Sequence, residues 1–249
     1  MNLAVVTTYN QKLFESYAHK FIETYKGKWP FDLHVYSEDD MPWPTEPITS
    51  VKNIYKEVKG CQDFVERNKD KPKPKGFLHD ATRFCYKVYG YTDFILNRAD
   101  KYDGVICIDA DSVFYKKIDY TWMQEKVHRD DCMMTYLGRG NTYSECGFLY
   151  FNMKHPDVKN YAKAMKHMYD SDELYKLVEW HDSYIWDHVR KQFEHHHKTK
   201  NHNIGDNYKM HVQARSCLGE IYDHCKGNRK QYGVSAEFVR RDEYKRRFK

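Results

Sequence analysis

The sequence has 249 residues, of which 41% are hydrophobic and 16% are aromatic, and its formal net charge is +5. A chain of this length and apolar content can bury a sizeable core, which excludes an intrinsically disordered protein. Its mean hydropathy is −0.91, and it has no apolar run of the roughly 18 residues that a membrane span needs, so we predict no membrane span.

The positive charge is concentrated at one end of the chain. Six of the last ten residues are Lys or Arg, and two are acidic. We therefore expect one domain over residues 1–239, followed by a basic tail over 240–249. The tail is expected to be a solvated terminal helix, and the alternative is a tail that contacts phosphates or an anionic membrane surface. The seven cysteines contain no Cys-x-x-Cys pair. This pattern predicts neither a disulfide framework nor a cysteine zinc site, and it favours a reducing, cytoplasmic setting.

Apolar runs and helical spacing alternate along the chain. The predicted elements, in chain order, are a strand over 3–7, a helix over 12–25, a strand over 32–36, helices over 51–68 and 77–96, strands over 102–111, 133–137 and 147–151, and helices over 158–177 and 183–193. Loops are expected over 71–76 and 195–200. This alternation predicts an α/β fold with a mixed, Rossmann-like sheet and helices on both faces. Ligands of such sheets bind at the carboxyl ends of the strands, which makes residues 7–10 and 109–111 candidate walls of one site.

The sharpest chemical signal is an Asp-x-Asp at the end of an apolar strand. Asp109 and Asp111 can both face a hard cation, and Mg²⁺ or Mn²⁺ commonly bridges carboxylates to a diphosphate. Asp170 and Asp172 have the same spacing but follow a helix, so we interpret them as a surface turn or cap. The alternative for the first pair is a turn that closes the strand.

Three further groups of residues suit the same chemistry. His224 is a possible metal ligand that precedes a glycine and a lysine, although the segment also fits a plain polar turn. Asp182 lies just before a helix, where the alternative is a capping role. Arg83 and Lys87 are one turn apart on a predicted helix and share a face, and pairing with Asp80 on the surface is the alternative.

In their order, these motifs resemble those of glycosyltransferases with the GT-A fold, most closely the glycogenin and bacterial lipopolysaccharide galactosyltransferase family. In that family an Arg-bearing helix leads into a strand that ends in Asp-x-Asp, as Arg83, Asp109 and Asp111 are arranged here. A late His-x-x-Gly-x-x-Lys follows, which here begins at His224 and ends at Lys230. The likeness runs from residue 1 to about residue 232, motif by motif.

The resemblance implies a metal and nucleotide site. Asp109, Ala110 and Asp111 would bind the nucleotide and Mn²⁺ or Mg²⁺, and Asp109 would also meet the ribose. His224 would be the third metal ligand. The remaining residues implied at the nucleotide are Thr7, Thr8 and Tyr9 at the first strand end, with Tyr9 stacking on uracil, and Gly227 and Lys230 at the diphosphate.

The resemblance also implies a site for the donor sugar. Arg83 would contact the sugar, and Glu145 stands where the family usually has Asn. The segment Trp-His-Asp that ends at Asp182 resembles the donor-sugar segment of the blood-group A/B transferases, which implies sugar contacts for His181 and Asp182. Ser183 replaces the Glu that follows in those enzymes. Glu145 and Asp182 are therefore the candidate nucleophiles or ion-pair stabilisers.

The expected function is metal-dependent transfer of a hexose from a UDP-sugar to an acceptor hydroxyl, with retention of configuration. The acceptor class stays open among a glycan, a protein and DNA, the last because of the basic tail and the basic stretch over 195–200. Two alternatives remain. One is a nucleotidyltransferase that releases pyrophosphate, and the other is a non-catalytic module that binds a nucleotide sugar, a glycan or nucleic acid.

Overall fold

The computed structural model describes residues 1–140, 142–205, 212–227 and 230. The predicted basic tail over 240–249 lies outside these residues. No helix in the described part of the chain combines the length and apolar character needed to cross a membrane.

Within the described residues, a seven-stranded sheet forms the centre of the fold, and a two-stranded ribbon lies beside it. The strands are, in chain order, β1 Leu3–Thr8, β2 Asp32–Ser37, β3 Ile48–Asn53, β4 Gly104–Ile108, β5 Ser112–Phe114, β6 Met134–Leu137, β7 Glu145–Asn152, β8 Asn201–Asn203 and β9 Tyr222–His224. The sheet has the order β3-β2-β1-β4-β7-β6-β8, and β5 pairs with β9 in the ribbon. Strand β7 runs antiparallel to its neighbours β4 and β6, and the other neighbouring pairs of the sheet are parallel.

Helices follow most of the strands. The α-helices are α1 Gln11–Leu13, α2 His19–Tyr25, α3 Ile54–Glu57, α4 Cys61–Asn68, α5 Ala81–Arg98, α6 Tyr120–Lys126, α7 Val158–Asp170, α8 Asp182–His196 and α9 Val212–Arg215. A π-helical turn over Phe14–Ala18 joins α1 to α2, and short 3-10 turns occupy Gly76–His79, Glu173–Lys176 and Cys217–Glu220.

Both faces of the sheet are buried, each in its own apolar cluster. Along β1, Ala4 and Val6 point into one cluster, whereas Leu3 and Val5 point into the other. Side chains of α5, α7 and α8 cover the first face, and side chains of α2 and α6 cover the second. This alternation explains why the central strands are continuous apolar runs, because neither face meets water. The predicted α/β fold with a mixed sheet and helices on both faces is confirmed.

Several element boundaries differ from the prediction. The predicted helix over 51–68 is wrong at its start, because β3 pairs with β2 there and the helical part is divided into α3 and α4. The strand predicted over 102–111 is limited to β4, so both acids lie beyond its end. The loop predicted from 195 is wrong for two residues, since α8 continues to His196. Strands β5, β8 and β9 are only three residues each, too short to show a period in the sequence.

Candidate active site

The topology brings distant segments to one edge of the sheet. Strand β4 ends at this edge, and the antiparallel β7 begins there, so the Asp109 N–H donates to the Gly147 carbonyl at 3.2 Å. The ribbon adds a third segment, because Ser112 pairs with His224 and the Cys225 N–H donates to the Asp111 carbonyl at 2.8 Å. More than 110 residues separate the two acids from the histidine along the chain. The pairing of β5 with β9 brings them together.

Asp109, Asp111 and His224 form a compact group of possible metal ligands, whose ligand atoms all lie within 4.8 Å of one another. The His224 Nε2 is 3.0 Å from Asp111 Oδ1 and 3.5 Å from Asp109 Oδ2. Asp111 and His224 are buried, and Asp109 is partly exposed. Two carboxylates and one imidazole suit Mn²⁺ and also Mg²⁺, so this donor set fits the expected metal. The expected metal group is therefore assembled by the fold.

Cations surround these ligands. The Lys230 Nζ is 2.6 Å from Asp111 Oδ2 and 4.8 Å from the centre of the Tyr17 ring. Burial opposes ionisation of Asp111, but His224 and Lys230 outweigh it and hold the pKa of this carboxyl well below its usual range. Burial likewise opposes the charged imidazole, and the contact with Asp111 raises the pKa of His224. Asp111 is thus held as a carboxylate, whereas burial raises the pKa of Asp109 against the opposing effect of Lys87 and His224.

Lys87 connects the metal group to Asp182. Its Nζ is 2.6 Å from Asp109 Oδ1 and 2.6 Å from Asp182 Oδ2, and it donates to the Cys146 carbonyl at 3.3 Å. Burial alone would lower the pKa of Lys87, but the two carboxylates raise it well above its ordinary value. The surface pairing considered for Lys87 is wrong, because Asp80 caps α5 and pairs with Lys73 instead.

Arg83 lies at the rim rather than the centre. It is exposed on the first turn of α5, with its guanidinium 5.6 Å from the centre of the Phe84 ring. The side chain of α5 that contacts Asp109 and Asp182 is instead Lys87, one turn further along the helix. The predicted sugar contact of Arg83 stays a prediction for a ligand that reaches this rim.

Glu145 is enclosed by positive charge. Its Oε2 accepts from Arg139 and Lys226, and its Oε1 accepts from the Gly147 N–H at 3.2 Å. Burial raises the pKa of this carboxyl, but Lys226, His224 and Arg139 together lower it to about 2. A carboxylate held in this way is a poor candidate for a free nucleophile.

His181 and Asp182 have different roles at the start of α8: His181 caps the helix, and Asp182 contacts Lys87. His181 is the N-cap of α8, with its Nδ1 accepting from the Tyr184 N–H at 3.4 Å and its Nε2 2.8 Å from Glu179 Oε2. The capping role considered for Asp182 is thus wrong, because Asp182 is the first residue inside the helix. Its carboxylate instead faces Lys87, next to the metal group.

The strand-end residues lie beside the site but mostly under its surface. Thr7 is buried, and its Oγ1 has no hydrogen-bond partner in the part of the chain that the structure describes. Thr8 is partly exposed. Tyr9 is 1% exposed and packs edge-on against Trp43 and at a tilt against Phe14. This arrangement does not support stacking of the Tyr9 ring on uracil, because core side chains already cover the ring.

The remaining positions predicted at the nucleotide are Gly227 and Ala110. Gly227 has φ of +62°, a left-handed conformation that favours glycine, and it is exposed beside the lysines. Ala110 is buried between the two acids. The second Asp-x-Asp is confirmed as a surface turn, since Asp172 follows α7 in a left-handed conformation and pairs with Arg67.

The sequence did not predict that Lys87 points into the site. It also did not predict that Tyr17 contacts Lys230 or that Arg139 and Lys226 pair with Glu145. The spacing of Lys87 placed it on a helix face, but only the docking of α5 on β1 turns that face toward the acids. Searches with models of protein families and against curated proteins return no match for this chain. The family resemblance therefore depends on the motifs themselves.

Proposed function

We propose that the protein is a metal-dependent glycosyltransferase that moves a hexose from a nucleotide sugar, with UDP as the expected nucleotide, to an acceptor hydroxyl. One observation carries the proposal. The metal-ligand group of Asp109, Asp111 and His224 lies at the carboxyl edge of an α/β sheet, and Lys87 joins it to Asp182. The group that would hold the metal and its diphosphate and the carboxylate that would orient a sugar are thus connected through one lysine.

The charges of the site support a diphosphate ligand. Apart from His224, the described residues place eight charged side chains in this cluster, four carboxylates (Asp109, Asp111, Glu145 and Asp182) and four cations (Lys87, Arg139, Lys226 and Lys230). Because the two sets balance, a divalent cation alone would leave an excess of positive charge. A cation that binds with the diphosphate of a nucleotide sugar, which carries two negative charges, keeps the balance, so we expect that ligand to strengthen cation binding.

The chain's own residues would divide the work as follows. Asp109, Asp111 and His224 would hold Mn²⁺ or Mg²⁺, which supplies charge neutralisation at the leaving diphosphate. Lys230 now pairs with Asp111, and it is placed to turn to a phosphate oxygen once a cation takes over that carboxylate. Asp182 would accept hydrogen bonds from sugar hydroxyls, with Lys87 fixing its orientation.

Transfer breaks the bond between the anomeric carbon and the diphosphate oxygen, and the electron pair leaves with the nucleoside diphosphate. The acceptor oxygen bonds to the anomeric carbon, and its proton passes to the leaving phosphate, so no separate base is needed for retention. Asp182 is the carboxylate that would stabilise positive charge on the sugar, since it pairs with Lys87 and Glu145 is held by two cations, Arg139 and Lys226. The acceptor stays a proposal among a glycan, a protein and DNA.

Calorimetric titration with UDP and GDP, with and without Mn²⁺, tests the proposal. The wild type should bind one of these nucleotides in a Mn²⁺-dependent manner, and Asp111→Asn should weaken that binding by at least about tenfold. Binding that ignores both Mn²⁺ and the substitution would contradict it. Supplying a nucleotide sugar and, separately, a nucleoside triphosphate then separates the alternatives. A glycosyltransferase releases nucleoside diphosphate from the former, a nucleotidyltransferase releases pyrophosphate from the latter, and a binding module yields no product.

A further inference from the structure

His224 has a buried nitrogen that the metal group does not use. Its Nε2 faces Asp111 and Asp109, whereas its Nδ1 is buried and has no hydrogen-bond partner in the described part of the chain. Leaving a buried polar atom without a hydrogen-bond partner is unfavourable, so such an atom calls for an explanation. A histidine that binds a metal through one nitrogen usually donates its other N–H to a fixed acceptor.

The acceptor that faces this nitrogen is Glu145. Its Oε1 is 3.9 Å from His224 Nδ1, about 1 Å beyond a normal hydrogen bond. The other oxygen of Glu145 accepts from Arg139 and Lys226, which anchors the carboxylate and keeps it ionised. The Gly147 N–H donates to Oε1 and fixes that oxygen at the start of β7.

The backbone next to His224 is shaped for the ring. A Cβ at Gly147 would lie 2.4 Å from both Cε1 and Nδ1 of His224, closer than atoms can approach. The imidazole therefore lies directly on the glycine backbone of β7, with Glu145 two residues before it. The first three residues of β7 thus provide both a space for the ring, at Gly147, and an acceptor beside its Nδ1, at Glu145.

We propose that Glu145 is a positioning residue that accepts a hydrogen bond from the Nδ1–H of His224 and so leaves the Nε2 lone pair for the cation. This inference rests on the metal centre of the proposed function. It gives Glu145 a role other than nucleophile or sugar contact. It also explains the two cations on its far side, because they hold the carboxylate in place.

A double-mutant cycle on Mn²⁺ affinity tests the inference. The amount of free Mn²⁺, followed by electron paramagnetic resonance, gives the Kd for the wild type, Glu145→Ala, His224→Ala and the double variant. Glu145→Ala should raise the Kd by about 10–100-fold in the wild-type background and have little effect once His224 is gone. Glu179→Ala is the matched control, because it removes the carboxylate of another Glu–His pair, that with His181, and should leave the Kd unchanged.

The outcomes separate this inference from the proposed function. A wild type that binds no Mn²⁺ overturns both. A wild type that binds Mn²⁺, with an equal loss from Glu145→Ala in both backgrounds or no loss at all, overturns only the role of Glu145.

A measurement on the wild type alone covers the case in which Glu145→Ala does not fold. Long-range ¹H–¹⁵N spectra of the Mg²⁺-loaded protein should show His224 protonated at Nδ1 and not at Nε2. Protonation at Nε2 alone would overturn the inference. A His224→Gln sample assigns the signal.

Discussion

Replacing Lys87 by Met tests whether this lysine connects the two halves of the site. Its ammonium lies 2.6 Å from a carboxylate oxygen of Asp109 and 2.6 Å from one of Asp182. Met keeps most of the side-chain volume and removes the charge. The two aspartates would then face each other with no cation between them, in a site where Asp182 is only 5% exposed.

The expected loss follows from these distances. At an effective dielectric constant of about 20, each contact supplies about 6 kcal/mol of attraction. Desolvation of the three charged groups cancels most of this gain, at several kcal/mol for each ion. Removing one partner of a buried ion pair usually costs about 3–5 kcal/mol, because a buried charge is left uncompensated. We expect a loss in the free energy of unfolding of this size for Lys87→Met.

Urea denaturation followed by tryptophan fluorescence at pH 7.5 without metal gives the measurement. Lys52→Met is the matched control, because Lys52 meets one carboxylate, that of Asp93, at 3.0 Å and is more exposed. Its loss should be about 1–2 kcal/mol. Adding Asp182→Asn to Lys87→Met should restore part of the stability. A loss below about 1 kcal/mol for Lys87→Met, or no recovery in the double variant, would refute this account of the pair.

Three further predictions concern His34, Gly147 and Asp182. Burial lowers the pKa of His34 to about 4, so the unfolded chain binds its proton more strongly. The stabilisation that neutral His34 provides is therefore complete above about pH 6.5 and is lost toward pH 4, by at most about 3 kcal/mol. The free energies of unfolding of the wild type and His34→Gln should converge as the pH falls through this range, and parallel pH profiles would contradict the prediction. Gly147→Ala should displace His224 and weaken Mn²⁺ binding about tenfold or more, whereas Gly104→Ala, whose Cβ meets a tyrosine hydroxyl at the same 2.4 Å, should cost stability and leave the Kd unchanged. Asp182→Asn should lower donor turnover by about 10²-fold with the Mn²⁺ Kd intact, and a turnover like that of the wild type would exclude a sugar contact.

The sequence predicted the fold well where its patterns were long. The central parts of β1, β4 and β7 are apolar runs, because both faces of the sheet are covered, and helices such as α5 and α7 have a clear apolar stripe. Strand β3 was not predicted, because Ile48–Asn53 has the mixed composition of an edge strand with one partner.

The metal group could be predicted because its members occur in a recognisable order and spacing. The orientation of Lys87 could not, since helical spacing gives a shared face but not the element that the face meets. Capping by His181 rather than Asp182 was a matter of one residue, within the usual variation of helix starts. The role of Glu145 depends on contacts with Arg139 and Lys226, which are 6 and 81 positions away along the chain.

The most direct test of the central claim is the release of nucleoside diphosphate from a panel of UDP- and GDP-sugars without acceptor, with Mn²⁺ and with EDTA. The account predicts slow release from one donor, dependent on Mn²⁺ and absent in Asp111→Asn, while the variant keeps the circular dichroism spectrum of the wild type. Release that continues in EDTA or in Asp111→Asn would contradict the metal-dependent mechanism. No release from any donor, with no binding of any nucleotide in Mn²⁺, would contradict the glycosyltransferase function itself.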